Sequence, residues 1–549
     1  MSLSSTHNRR LTAHIAEIIS QTNGIALEDT LELMLSSDLA ETDPAAHACL
    51  TDFQTKLRGF HHGGGVELAD LLNHEFAHSL YAFFRAFPLP YREEHIHLTG
   101  SLAPEFIFPR IRAMLDGPAG DIVAAKIEAV YGPGTADIQS VEDVRNLIVL
   151  KDDERFDRYL QILMLPKLIL TDRQAHSDAA YHMASELFHK YNVGNIRLKF
   201  TLSRATADKS ETIPGIEALT PEDVALGLYD GFARFQKEHP VFEFILSPCF
   251  RKEADFYDHT RFDSKEASVL DQINTILELN EKYPFLAKHL REVDTVGNER
   301  DFFRKAHFKA MHQGFRKLQY YGFQIRSHHG ETWKNLRCGI QAVDNAMNIW
   351  HINTLEHGLS LGINPNFYFH SMYQRVLKWN RAGEAIRKGS IEHNEIMDMQ
   401  WHENDAVRDK LIAGTPLTEA EVRLFTKAKF HTAREIEHYQ HDVLNRMIHK
   451  KVSLMSLPSS NYKLTICIDD YKDHPFSWWE KKGVKLGVGT DNYITLNTDY
   501  LQEMLILLFT DPNGLKITKL LMITSGETRR PYISSLFWKM NNKELWLSE

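Results

Sequence analysis

The chain has 549 residues, of which 43% are hydrophobic and 25% charged, and its formal net charge is -10. That length and apolar content exceed one small domain, and the acidic balance removes any general electrostatic reason to hold nucleic acid. No run of 18 apolar residues occurs, and the nearest, Met504 to Phe509, is cut short by Asp511 and Pro512, so no membrane span is expected.

The opening residues MSLSSTHNRRLTAHIAEII lack the apolar run of a signal peptide. Cys49, Cys249, Cys338 and Cys467 form no CxxC pair, which argues against a zinc ribbon or a disulfide framework. The expectation is a soluble protein of a reducing compartment, the cytoplasm. The 29 histidines are many for this length and raise the chance that some bind metal.

Residues 1–88 read as a helical extension: Ile15, Ile18 and Ile19, and less strongly Leu31, Leu33 and Leu35, lie at helical spacing. Leu68 to Phe84 has a broad apolar face, and Gly63-Gly64-Gly65 breaks the pattern as a loop. His74-Glu75-Phe76-Ala77-His78 within it is a literal HExxH, the zincin pattern, so a metalloprotease is one alternative.

From about residue 90, short apolar stretches alternate with helical ones. Strands are predicted at His95–Leu98, Ile196–Thr201, Val241–Leu246, Gly322–Ser327, Leu464–Ile468 and Val484–Val488. Strands separated by helices indicate βα units and a parallel sheet. Reactive residues at strand ends then point to a (β/α)8 TIM barrel over 89–549. Residues of about 365–450 break the rhythm as a helical insertion. Thr418 and Glu421 form a capping box there, ahead of a stripe of Val422, Phe425, Ile436, Val443 and Met447.

Four short segments carry chemistry. His95 and His97, one residue apart on a strand, put two imidazoles on one face, a claw for Zn²⁺. His328 directly follows the predicted strand Gly322–Ser327 and can supply a third ligand, and Glu331, past Gly330, can face the same cavity as a proton shuttle. His357, before Gly358, presents one more imidazole. Asp491, closing Gly489-Thr490-Asp491, is a carboxylate suited to completing a zinc sphere.

The order of these segments, HxHxxGS, HxGE, His-Gly and a strand ending Thr-Asp, resembles the adenosine deaminase family of amidohydrolase barrels. Further matches are Pro90 through His97, the loop Asp294 to Glu299, Leu457-Pro458-Ser459-Ser460-Asn461 against a Cys-Pro-x-Ser-Asn strand, and His474-Pro475. The resemblance covers about residues 88–360 and 454–535. It implies one Zn²⁺ per chain on His95, His97, His328 and Asp491. It also implies that His357 orients the attacking hydroxide, that Glu331 protonates purine N1, that Asp491 acts as ligand and base, and that Gly297 offers its N–H to N3.

Two positions depart from that pattern. Thr99 stands where the family has a carboxylate for a 5′-hydroxyl, and a hydroxyl can face a 5′-phosphate instead, so AMP or dAMP is favoured over the free nucleoside. Asn492 replaces an aspartate at N7. The partner is thus expected to be a small purine nucleotide or nucleoside. The 134 positions between His357 and Asp491 hold the insertion. Elaborations of this kind occur in oligomeric deaminases of bacterial antiviral defence, so a homo-oligomer formed through the extension or the insertion is expected. A non-catalytic deaminase-like scaffold is the other alternative.

Overall fold

In a computed structural model, residues 5–22, 25–202, 213–216, 219–465 and 467–526 are described. Eight strands form one parallel sheet in sequence order: β1 (Tyr91–His97), β2 (Val193–Phe200), β3 (Glu243–Arg251), β4 (Glu292–Val296), β5 (Gln324–His329), β6 (Thr354–His357), β7 (Ser453–Ser456) and β8 (Leu486–Val488). Parallel pairs run from β1–β2 to β7–β8. The sheet closes where Asp491 N–H donates to His95 O at 2.9 Å and His97 N–H donates to Asp491 O at 2.8 Å. The architecture is therefore the expected (β/α)8 barrel.

The strand forecasts need correcting, beginning with β1, which starts at Tyr91 and ends at His97 where His95–Leu98 was expected. Strands β4, β6 and β7 were not foreseen, because each is short and β4 and β6 carry buried charges in place of an apolar run. The third strand begins at Glu243 and continues to Arg251, beyond Val241–Leu246. Leu464–Ile468 is not a strand: Leu464 ends the helix Pro458–Leu464, Cys467 and Ile468 follow it outside any strand, and Ile466 lies outside the described residues. The segment Leu457 to Asn461, matched above to a strand motif, runs from the residue preceding that helix into its first turn, just past β7. Of the resemblance, residues 527–535 also lie outside the described residues.

Helices Ser5–Thr22, Leu27–Leu35, Pro44–His62 and Glu75–Arg85 make up the extension. Gly63 ends the third of these in the left-handed conformation, at φ 75°. The extension packs on the barrel: Phe53 meets Phe509, and Tyr91 Oη donates to Phe84 O at 2.8 Å. The apolar stretch Leu68 to Phe84 divides at Asn73 and His74 into two helices. His74 is the N-cap of the second, its Nδ1 accepting from Phe76 N–H and its Nε2 bonded to Asp52. The zincin pattern needs His74 and His78 one turn apart on one helix, and His74 lies outside it. Among the described residues no metal-competent group includes His74, Glu75 or His78.

The insertion is helical, as expected. Its long helix Glu419–His449 starts with the capping box, Thr418 and Glu421 bonding each other's backbone N–H. Phe425, Ile436, Val443 and Met447 are buried, whereas Val422 is only partly covered. Gln440 donates to Ser360 O and Ile363 O, and Glu395 accepts from Leu336 N–H and Tyr368 Oη, so the insertion is bonded to the loops after β5 and β6. Phe425 packs against Tyr373 and Trp401. Phe425→Ala removes a fully buried ring, so a loss of about 3–5 kcal/mol is expected. A lowered thermal unfolding midpoint checks this, and an unchanged one would show that the insertion does not pack as described.

Candidate active site

The end of β1 places His95 and His97, and the end of β5 places His328 beside them. His95 Nε2 lies 3.2 Å from His97 Nε2, and His97 Nε2 lies 3.3 Å from His328 Nε2. Asp491 Oδ1 is 3.4 Å from His97 Nε2 and 3.7 Å from His95 Nε2. The four expected ligand atoms therefore converge.

These residues fit a zinc ion. Bonds of about 2.0–2.1 Å from zinc to nitrogen in a tetrahedron put neighbouring ligand atoms about 3.3 Å apart, and the His95–His97, His97–His328 and His97–Asp491 distances of 3.2, 3.3 and 3.4 Å match that spacing. The remote nitrogens are also committed. His95 Nδ1 donates to Glu356 Oε2 at 2.7 Å, and His328 Nδ1 donates to Asp294 Oδ1 at 3.1 Å. In a neutral ring, that leaves both Nε2 atoms as bare lone pairs facing a third imidazole and a carboxylate. A cation satisfies that arrangement, and a single shared proton cannot.

Asp491 is oriented from several sides. Ser460 Oγ donates to its Oδ2 at 2.6 Å. Burial opposes its ionisation, but His95 and His97 outweigh that and hold its carboxyl well below the ordinary range. Its φ of 67° is left-handed, an uncommon conformation for a side-chain-bearing residue, sustained by the backbone bonds to β1. Behind it, Glu93 accepts from Thr490 Oγ1 at 2.8 Å and Tyr493 Oη at 3.0 Å.

Glu331 and His357 share the same cavity, with His357 Nε2 3.7 Å from Glu331 Oε2. Gly330, at φ 71°, turns the chain after β5, and a Cβ there would come within 2.5 Å of Ser360 Oγ. Glu299 fixes the turn by accepting from the backbone N–H of Gly330, Glu331 and Thr332, at 3.1, 2.7 and 2.8 Å, and from His329 Nδ1. Burial then raises the Glu331 carboxyl above its ordinary range against the opposing pull of His357. The Asn461 amide bridges His357 Nδ1 and His474 Nε2 at 3.0 Å each, leaving His357 Nε2 facing the cavity without a hydrogen-bond partner.

The expected substrate residues lie around this centre. Thr99 is half-buried in the turn after β1. Gly297, at φ 101°, follows β4, and a Cβ there would lie 2.4 Å from the Glu253 carboxylate. Asn492 donates through Nδ2 to Tyr159 Oη and to Asp491 Oδ1, each at 2.6 Å, so both amide hydrogens are engaged. Tyr159 comes from the helix Phe156–Ile162, inside the long β1–β2 connection. That helix packs with Leu464 and Leu496, from beyond β7 and β8, in a small apolar cluster.

No protein-family model matches the chain, and no curated protein matches it. Among solved structures it is similar to an adenine deaminase from Arthrobacter aurescens, 13% identical over 82% of this chain and 98% of that one, with a TM-score of 0.47. An amidohydrolase from Burkhoderia ambifaria with bound zinc is 14% identical over 85% and 95%, with a TM-score of 0.45. The N6-methyl-AMP deaminase from Arabidopsis thaliana is 12% identical over 83% and 98%, with a TM-score of 0.47. None of these figures bears on the chemistry, which rests on the side chains.

Sequence reasoning did not single out Glu356, Lys199, Arg326, Tyr159 or Glu253, and it left Asp294, Glu299, Ser460, Asn461 and His474 without individual roles. A signal did exist for some of them. Arg197 and Lys199 alternate along β2, and Arg326 and His328 along β5, the period of one strand face. The expected ligand set predicts one zinc per chain by elemental analysis. His95→Ala and Asp491→Ala should each lose it, and a variant that keeps stoichiometric zinc would refute that residue as a ligand.

Proposed function

We propose that the chain is a zinc-dependent deaminase of the adenosine deaminase type, acting hydrolytically at C6 of an adenine nucleotide or nucleoside. The observation that carries the reading is the convergence of three imidazole Nε2 atoms and the Asp491 carboxylate beside the buried Glu331, whose carboxyl burial raises above its ordinary range. Bound in that cage, zinc would supply Lewis acidity and would make a water molecule in the site a stronger acid. His95, His97, His328 and Asp491 would hold it.

The chain's own residues supply the rest. Glu331, whose carboxyl burial raises above its ordinary range, donates to N1 of the base, which withdraws electrons from C6. His357, oriented through Asn461, hydrogen-bonds the attacking oxygen and stabilises charge there. Asp491 accepts the proton released in the attack. Water adds at C6, the C6–N bond breaks, ammonia leaves and a 6-oxopurine remains. The dry walls exclude competing water from the ring.

Recognition of the base and sugar belongs to the same proposal. Gly297 offers its N–H to N3. Tyr159 and Asn492 stand together at the N7 side, and Asn492 meets the base only if it gives up one of its two present acceptors. Thr99 faces the 5′ end, which favours AMP or dAMP over adenosine or deoxyadenosine. A homo-oligomer formed through the extension or the insertion is part of this reading, supported by exposed Phe367, Met397 and Phe430 on the insertion. So is a place in bacterial antiviral defence.

Turnover of AMP, dAMP, adenosine and deoxyadenosine, followed by the loss of adenine absorbance, tests the activity. No turnover of any adenine compound by zinc-loaded protein would refute it. Glu331→Gln should lower kcat by at least about 10²-fold with zinc retained, as expected for a general acid. Thr99→Asp should keep zinc and shift kcat/KM from the monophosphates toward the nucleosides, because the new carboxylate repels a phosphate. An unchanged ratio would remove the phosphate role of Thr99.

A further inference from the structure

Barrel interiors are ordinarily filled by branched apolar side chains. Below the cage of this barrel the filling is ionic. Lys199 from β2, Asp294 from β4 and Glu356 from β6 are each fully buried, and Arg326 from β5 is 2% exposed. Lys199 Nζ pairs with Asp294 and lies 3.0 Å from Glu356 Oε1. Arg326 Nε donates to that same Oε1. Arg326 also reaches Glu292 and Glu94, and both of these pair with Arg197.

Glu356 has two distinct oxygens in this network. Oε1 takes both cations, and Oε2 is left for His95 Nδ1 at 2.7 Å. A carboxylate only accepts, so His95 carries a proton on Nδ1, and in the neutral ring Nε2 points a lone pair into the cage. Resting on the zinc reading above, we infer that Glu356, locked in place by Lys199 and Arg326, is the positioning residue that sets the tautomer and orientation of His95 and through it the affinity of the cage for metal. Burial by itself opposes a charge on Glu356, and Arg326, Lys199 and His95 together reverse this and hold its carboxyl well below the ordinary range. Lys199 also touches Asp294, the acceptor for His328 Nδ1, so one ammonium braces the carboxylates behind two ligand histidines.

The local backbone explains how Glu356 and His357 both serve one site although they are neighbours on a strand. Strand β6 ends at His357, whose φ of 64° is left-handed, so the alternation of faces is broken there. His357 then lies 5.5 Å from His95, ring centre to ring centre, while Glu356 holds the back of the same imidazole.

The test is zinc affinity of the full chain, measured by competition with a chromophoric chelator, with the visible spectrum of the cobalt(II)-substituted protein as a second readout. Glu356→Gln should weaken zinc by about 10–100-fold, as loss of an outer partner of a ligand histidine does, and should alter the cobalt bands. Glu292→Gln removes a buried charge from the same network, touches Arg326 but no ligand imidazole, and should leave affinity within about threefold. Equal losses in the two variants would make the effect general to the core and overturn the inference. So would unchanged affinity and spectrum in a folded Glu356→Gln protein. If the single variant does not fold, Glu356→Gln with Arg326→Gln keeps the net charge of the network, spares the Lys199–Asp294 pair behind His328 and carries the same readout. Wild-type protein that takes up no zinc would sink the deaminase reading and this inference with it. Wild-type stoichiometric zinc with an insensitive Glu356→Gln variant would sink only the role of Glu356.

Discussion

Charge buried inside a barrel must be compensated where it lies, because water is not there to do it. This barrel buries Lys199, Arg326, Glu292, Asp294 and Glu356 among its inner strands, and each is matched by a partner on another strand. The pairs thus tie β2, β4, β5 and β6 together below the cage. They also aim the carboxylates that orient His95 and His328. An apolar core of the same volume could hold the strands as firmly, but it could not fix which nitrogen of an imidazole carries the proton.

The closure of the barrel and the construction of the site are one event. The first and last strands meet through the backbone of Asp491, which bonds both His95 and His97. Its side chain, on the far side of a left-handed residue, then points at the same two imidazoles. Glu93 and Ser460 brace the loop from behind and in front. Strain at Asp491 and His357 is sustained because so many surrounding bonds define each position. It lets residues at strand ends turn inward where simple alternation would send them elsewhere.

The added segments serve the centre from outside. The β1–β2 connection brings Tyr159 to Asn492 and roofs the ends of β7 and β8 with apolar side chains. The insertion bonds the loops after β5 and β6, of which the first carries Glu331 and the second begins directly after His357. Function on a common barrel is set by such grafted parts more than by the strands themselves.

Much of this was legible in the amino-acid order alone. Histidines spaced by two at a strand end, a glutamate three residues after a strand-terminal histidine, and a terminal aspartate are local patterns, and local geometry makes them face one cavity. The capping box at Thr418 and the glycine break after His62 were legible for the same reason. What the sequence could not carry was pairing between distant strands. Nothing local marks Glu356, Lys199 or Arg326 as buried partners, since a charged residue is usually exposed. Strands β4 and β6 escaped notice because Glu292 and Asp294 in the one and Glu356 in the other erased the apolar run expected of a buried strand. The HExxH pattern misled in the opposite direction, since the chain uses His74 to start a helix. Amino-acid order by itself determined the kinds of group available and their local direction. Only the tertiary structure decided which carboxylate met which cation, because burial makes an unpaired charge so costly that partners are chosen by the fold, across 157 positions in the case of Lys199 and Glu356.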